Sequence, residues 1–273
     1  MGPASGEIPV SNIILPGIKL TPAKEIIIVP KENLIPEGPI KVVGAGDSNT
    51  QGNVSHDWFN KVKQEVNYTD PDKFELYNMG FDSRTTESYI QEGKLSEIIK
   101  INPDIVELII GTNNLNGSFR FPKRFTLEKY ITDLNFIVNE LKTKTNVSKI
   151  ALASIPPFGE DPNEEIFKRS GEWSDAVKTL ATETGCIYLP VHEMMVAQLA
   201  LKNKDLKPKY SYNQWKVSFG MAVFDLKIVK KSLDDISKKQ GHFLHSDLLH
   251  FNHSADDIFG VLTKGLVESY RKY

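Results

Sequence analysis

Ile40-Lys41-Val42-Val43-Gly44-Ala45-Gly46-Asp47-Ser48-Asn49-Thr50-Gln51-Gly52 is the stretch on which the reading of this chain turns. Ile40–Val43 is a short apolar run of the kind buried in a parallel sheet, and it breaks into a glycine-rich turn. A strand running into glycines raises the question of phosphate binding. Asn49 stands where a dinucleotide fingerprint needs its third glycine, however, and no Gly-Lys-Ser/Thr follows. The Gly-x-Ser-x-Gly elbow of α/β-hydrolases fails as well, because Thr50 takes the place of its second glycine. What is left is Ser48, exposed on a turn at the carboxyl end of a buried strand, beside a small residue that lets a substrate approach.

Outward from this stretch, strands and helices alternate. Phe74–Tyr77, Ile105–Ile110, Lys149–Ile155 and Ile187–Val191 read as strands. Ser55–Val66, Thr86–Ile99, Leu127–Leu141 and Ser254–Tyr270 read as helices, the last with Ser254 as its N-cap. This alternation predicts parallel β-α-β units in a three-layer α/β/α sandwich, with reactive side chains at the carboxyl ends of the strands. Residues 1–38, punctuated by Pro3, Pro9, Pro16, Pro22, Pro30 and Pro36, read as an extended arm, and residues 39–273 as one α/β domain.

One segment, at about residues 200–240, is an insertion in the alternation. There Trp215, Phe219, Ala222, Leu226, Val229, Leu233 and Ile236 fall in steps of four and three, the seam of one long amphipathic helix. The segment is rich in lysine. A helix packed on the core with a solvated lysine face is expected, with a lid, a dimer helix or contact with an anionic membrane surface as the other readings.

The chain has 273 residues, 33 basic against 35 acidic, and a formal charge of -2, so no global excess of Lys and Arg is available for nucleic acid. The single Cys186 excludes a disulfide framework within the chain and a multi-cysteine zinc site, and at the start of a predicted strand it reads as core. Apolar runs such as Glu25–Pro30 fall far short of the ~20 residues a membrane span needs. No basic segment followed by an apolar stretch opens the chain, and Gly6 spoils a myristoylation start at Gly2. These features lean towards the cytoplasm, with secretion left open had a leader been removed.

A serine hydroxyl needs a base to take its proton and a carboxylate to orient that base. Asp247-Leu248-Leu249-His250, just before the last helix, supplies both, at a spacing that can set the carboxylate beside the imidazole within one turn. Two more segments end on the same rim, Asn78-Met79-Gly80-Phe81-Asp82-Ser83-Arg84-Thr85 and Gly111-Thr112-Asn113-Asn114. The Gly80 amide, the Asn113 carboxamide and the Ser48 amide are candidate donors to an oxyanion.

Gly46-Asp47-Ser48, Asn78-x-Gly80, Gly111-x-Asn113 and Asp247-x-x-His250, in this order, resemble the four sequence blocks of the SGNH (GDSL-type) hydrolase superfamily over roughly residues 40–270. The resemblance implies Ser48 as nucleophile and first oxyanion donor, Gly80 and Asn113 as the other donors, His250 as general base and Asp247 as its orienting acid. It also implies a flavodoxin-like sandwich with a central five-stranded parallel sheet, and no metal or organic cofactor. Ser83 stands where the second block usually has glycine, and Asn114 where the third usually has aspartate. Neither departure removes a catalytic group.

Rival readings attach to some of these residues. His242, His245, His250 and His253 crowd together and invite a metal, but no spaced partner cluster is evident elsewhere. His245 or His253 could replace His250 as base, although the spacing from Asp247 favours His250. Asn53, Asn67, Asn116, Asn146 and Asn252 begin Asn-x-Ser/Thr triplets, three of them so near Ser48, Asn113 and His250 that a glycan would crowd the pocket. The expected activity is ester hydrolysis through an acyl-enzyme, on a small-molecule, glycan or lipid ester. Acyl transfer to a sugar or lipid hydroxyl and a catalytically silent binding module are the alternatives.

Overall fold

Five short strands lie side by side, all parallel, in the order β2-β1-β3-β4-β5. They are β1 (Ile40–Gly46), β2 (Phe74–Gly80), β3 (Ile105–Ile109), β4 (Lys149–Ala153) and β5 (Ile187–Leu189). The structure is a computed structural model and describes residues 38–202 and 207–270. The expected arm over residues 1–38 therefore lies outside the described residues, apart from Gly38.

Side chains alternate across a strand, so each strand feeds two cores. Val43, Ala45, Val106, Leu108, Ile150 and Leu152 point to one face. That face is covered by α3 (Thr86–Gln91), α4 (Lys94–Ile101), α6 (Leu127–Lys144) and α7 (Glu165–Thr184). Ile40, Val42, Phe74, Leu76, Ile105, Ile109, Ala151 and Ala153 point to the other, under α2 (Trp58–Thr69), α8 (Val191–Lys202) and α11 (His253–Glu268). The result is the α/β/α sandwich with a five-stranded parallel sheet that the alternation predicts. Glu107 sits in the second core, wholly buried, with one oxygen accepting from the Thr263 hydroxyl at 2.8 Å. Burial pushes its carboxyl up to about 8.

Three differences from the sequence reading have local causes. The helix expected over Thr86–Ile99 is two, α3 and α4, separated by Gly93 in the left-handed region (φ 75°). The last helix is capped by Asn252, whose carboxamide oxygen accepts from Ser254 and Ala255 N–H, so the cap lies two residues before Ser254. The seam between 200 and 240 is not one helix. It is divided among α9 (Trp215–Phe224), a π-helical turn (Asp225–Val229) and α10 (Leu233–Gln240), and a short 3₁₀ turn at Tyr212–Gln214 precedes them. The chain reverses at Lys230 (φ 63°), and Ser232 caps α10. Ala222 and Ile236 are buried on either side of this break, but Val229 is exposed. The lysines here are partly engaged: Lys231 and Lys239 pair with the buried Asp225, and Lys227 donates to the Asn53 carbonyl. Among the described residues no helix is long and apolar enough to cross a membrane.

Candidate active site

The site lies at the carboxyl edge of the sheet, where β1 enters the four-residue helix α1 (Ser48–Gln51). Asp47 caps α1 through a hydrogen bond from Asn49 N–H at 3.1 Å, and this turn presents Ser48 at the rim. Gly46 has to be glycine, because a Cβ there would lie 2.4 Å from the Ile109 carbonyl oxygen.

Ser48 Oγ is 3.0 Å from Nε2 of His250, and Nδ1 of His250 is 2.8 Å from Oδ2 of Asp247. All three residues are buried. The other Asp247 oxygen accepts from the backbone N–H groups of Leu248, Leu249 and His250 at 2.6–2.8 Å, which fixes the carboxylate within its own turn. Two links hold this loop to the serine turn, Asn49 Nδ2 to the Leu249 carbonyl and Phe251 N–H to Ser55 Oγ.

Charge follows from this geometry. Burial alone would lower the pKa of the His250 imidazole. Asp247, by charge and hydrogen bond, and then Asp47 and Asp82 outweigh that and hold it above the usual histidine value. Burial would raise Asp247, but His250 and the turn amides leave it below the usual carboxylate range. Asp47, beside the serine, is raised by burial to about 6.

The candidate oxyanion donors differ in freedom. Asn113, on α5 (Thr112–Arg120), gives one amide hydrogen to the Arg84 carbonyl at 3.1 Å and keeps a second. The Gly80 amide is already taken, donating to Asn78 Oδ1 at 3.0 Å. Gly80 is glycine for a packing reason, since a Cβ would meet Gln51 N at 2.3 Å. Three residues on, Ser83 is exposed and holds a left-handed φ of 60°, the conformation that glycine adopts without strain. The residue that departs from the second block thus keeps a glycine-like backbone. Asn114 bridges to α3, accepting from Thr86 N–H and donating to the Thr86 hydroxyl.

The other histidines are elsewhere. His253 Nδ1 faces His56 Nε2 at 2.9 Å in an exposed pair. His245 is wholly buried, with Nδ1 3.0 Å from Glu160. Desolvation lowers the nearby His242 to about 4. No group of three or more His, Cys, Asp or Glu among the described residues is arranged to hold a metal ion. Two of the Asn-x-Ser/Thr asparagines serve the fold. Asn252 is the α11 cap, and buried Asn116 accepts from the Tyr212 hydroxyl. Cys186 is half-buried, and burial pushes its thiol up.

Sequence reasoning missed an aromatic wall. Phe219 lies 5.4 Å from the His250 ring and stacks on Trp215 at 5.8 Å, both one turn apart on α9. The four-and-three spacing named both residues without saying what they cover.

A serine, an imidazole and a carboxylate in line at the rim of a parallel α/β sheet define a serine hydrolase. Solved structures share the fold. An acetyl xylan esterase, AlAXEase, superposes with a TM-score of 0.62 at 17% identity, covering 84% of this chain and 100% of the other. The acetylxylan esterase Axe2 from Geobacillus stearothermophilus gives 0.59 at 16% identity, over 83% and 93%. LAE5, an α/β hydrolase from the metagenome of Lake Arreo, Spain, gives 0.60 at 16% identity, over 84% and 94%. No curated protein matches the sequence. Residues 45–254 match the GDSL-like lipase/acylhydrolase family, and the chain belongs to it as a serine-type ester hydrolase.

Proposed function

We propose that this protein hydrolyses esters through an acyl-enzyme on Ser48. The observation that carries the reading is the line Ser48 Oγ, His250 Nε2, His250 Nδ1, Asp247 Oδ2, with steps of 3.0 and 2.8 Å. His250 takes the serine proton as Oγ attacks the carbonyl carbon, and Asp247 holds the imidazole in the tautomer that can accept it. The collapsing intermediate receives that proton on the leaving alcohol, and His250 then activates the water that releases the acid. Ser48 N–H and the second amide hydrogen of Asn113 receive the oxyanion. Ser83 N–H is the third donor in this reading, in place of Gly80, whose amide is bound to Asn78.

The acyl group proposed is acetyl, as in the acetylxylan esterases that share the fold. The test is Ser48→Ala on p-nitrophenyl acetate, with a loss of about 10⁴-fold or more in kcat expected. Parental turnover by that variant would overturn the mechanism. A series of p-nitrophenyl esters checks the acyl group, since kcat/KM should fall as the chain lengthens beyond acetyl.

A further inference from the structure

Helix α9 and the π-helical turn after it are apolar on two opposite faces. Trp215, Phe219 and Ala222 make the inner face: Trp215 meets Phe158 edge-on, Phe219 packs against His250, and Ala222 is buried. Ser218 ties the same side to α10, its carbonyl accepting from Gln240 Nε2 at 3.0 Å. Val217, Met221, Phe224 and Ile228 follow one another at steps of four, three and four, and so share the other face. They are 55, 39, 52 and 68% exposed, and Val229 beside them is 47% exposed.

These five are half of the ten large apolar side chains that stand exposed among the described residues, gathered between positions 217 and 229. Apolar residues scattered singly are ordinary on a surface, but a contiguous row marks a contact. The inner face already holds the helix on the domain, so the row has no core to turn into.

The border of the row is basic. Lys216 and Lys227 directly precede Val217 and Ile228, Lys230 and Lys231 follow Val229, and Lys216, Lys227 and Lys230 are exposed. Residues 215–240 hold six lysines and three aspartates, in a chain of formal charge -2. All three aspartates are engaged. Asp225 is buried against Lys231 and Lys239, Asp234 accepts from His253 N–H, and Asp235 accepts from Ser232.

This pattern selects among occupants. A second copy of the chain, docked face to face, would set the same lysines against one another. A protein groove that takes in a helix needs most of its girth free, and α9 is fixed along its inner face. An anionic bilayer meets both halves of the pattern. The row enters the boundary between headgroups and acyl chains, and the lysines at its margin reach the lipid phosphates and carboxylates.

We infer that α9 and the turn after it form a docking surface for an anionic lipid bilayer, lying in its plane with Met221, Phe224 and Ile228 inserted. Binding of this kind needs no turnover, so it is independent of the esterase reading.

The experiment is co-sedimentation of the full chain with vesicles of phosphatidylcholine alone and of phosphatidylcholine mixed with phosphatidylserine, at low and high salt and without an ester substrate. The parent should sediment with the anionic vesicles and far less with the neutral ones, and salt should release it. Phe224→Ser combined with Ile228→Ser should weaken partitioning onto the anionic vesicles by about tenfold or more. Both side chains are exposed, so the melting temperature should hold. Lys216→Gln combined with Lys230→Gln should weaken partitioning by a similar factor and lessen its dependence on salt. A parent that ignores anionic vesicles, or binds neutral ones equally well, would overturn the docking surface. Parental binding by the Phe224 and Ile228 double variant would overturn it too. A parent that is a dimer in solution and becomes a monomer in that double variant would assign the face to a second copy instead.

Discussion

Two buried imidazoles, His245 and His250, sit five residues apart on one loop, each against a carboxylate, and the hydrogen bonding of the two carboxylates is nearly the same. Asp247 accepts three backbone N–H groups, from residues 248 to 250, and the Nδ1 of His250. Glu160, at the end of the segment after β4, accepts three backbone N–H groups, from residues 243 to 245, and the Nδ1 of His245. The far side of each ring differs. Nε2 of His250 meets Ser48, whereas Nε2 of His245 is buried with no hydrogen-bond partner among the described residues. Under the proposed mechanism a carboxylate on an imidazole is not enough to make a base, since the ring must also reach a serine. In the second pair the same hydrogen bonds clamp the loop, aided by Gly159 N–H on the Leu248 carbonyl at 2.7 Å, so that the first pair is held against the serine.

Exchanging the roles of the two histidines is the strongest way to break this contrast. His250→Ala should lower kcat on p-nitrophenyl acetate by about 10⁴-fold or more, while His245→Asn, whose amide can still donate to Glu160, should keep kcat within about tenfold. The reverse order would mean that the wrong pair had been assigned to catalysis. Glu160→Gln sharpens the clamp: it turns one acceptor into a donor facing a buried N–H. It should cost about 3–5 kcal/mol, read as a fall in melting temperature on the order of 10 °C. An unchanged melting temperature would remove Glu160 from the clamp.

Titration gives a smaller effect. His250 must be neutral to accept the serine proton, and its pKa is held above the ordinary value, so kcat/KM should rise with pH through a midpoint above that of free histidine. Asp47→Asn removes one of the charges that raise it and should move this limb to lower pH. A limb that stays put would take Asp47 out of the field at the imidazole. A separate effect, read on stability alone, is expected in the second core at Glu107. Its folded pKa of about 8 lies above the ordinary 4.5, so the fold favours the protonated form. That contribution is complete below about pH 4.5 and is lost as pH rises through about 8. Glu107→Gln should therefore flatten the decline of melting temperature over this interval, and an unaltered decline would place the titration elsewhere.

The same contrast explains what could be read from the sequence. Asp247 and His250 are three residues apart, a spacing that lets them pair within one turn, and together with the three other blocks it names them. Glu160 and His245 are separated by eighty-five positions and are brought together only by the tertiary fold. The strands were legible because short apolar runs stop at glycine or at Pro156-Pro157. Helix α5 was not, because Thr112-Asn113-Asn114-Leu115-Asn116-Gly117-Ser118 is poor in helix formers. Its place is secured by tertiary contacts, with Leu115 wholly buried, Asn114 on Thr86 and Asn116 on Tyr212. The start of α7 lacks a side-chain cap at Glu164, which hid a twenty-residue helix. At the candidate oxyanion site, identity favoured Gly80, but a donor must also be free. Freedom depends on the Asn78 side chain and on the φ of Ser83, and neither is written in residue type.

Labelling with a fluorophosphonate, mapped by peptide mass spectrometry, tests most directly that Ser48 is the nucleophile and His250 its base. The label should sit on Ser48 in the parent and in His245→Asn, and should be lost or greatly slowed in His250→Ala. Label on another residue, or parental labelling of Ser48 without His250, would contradict it.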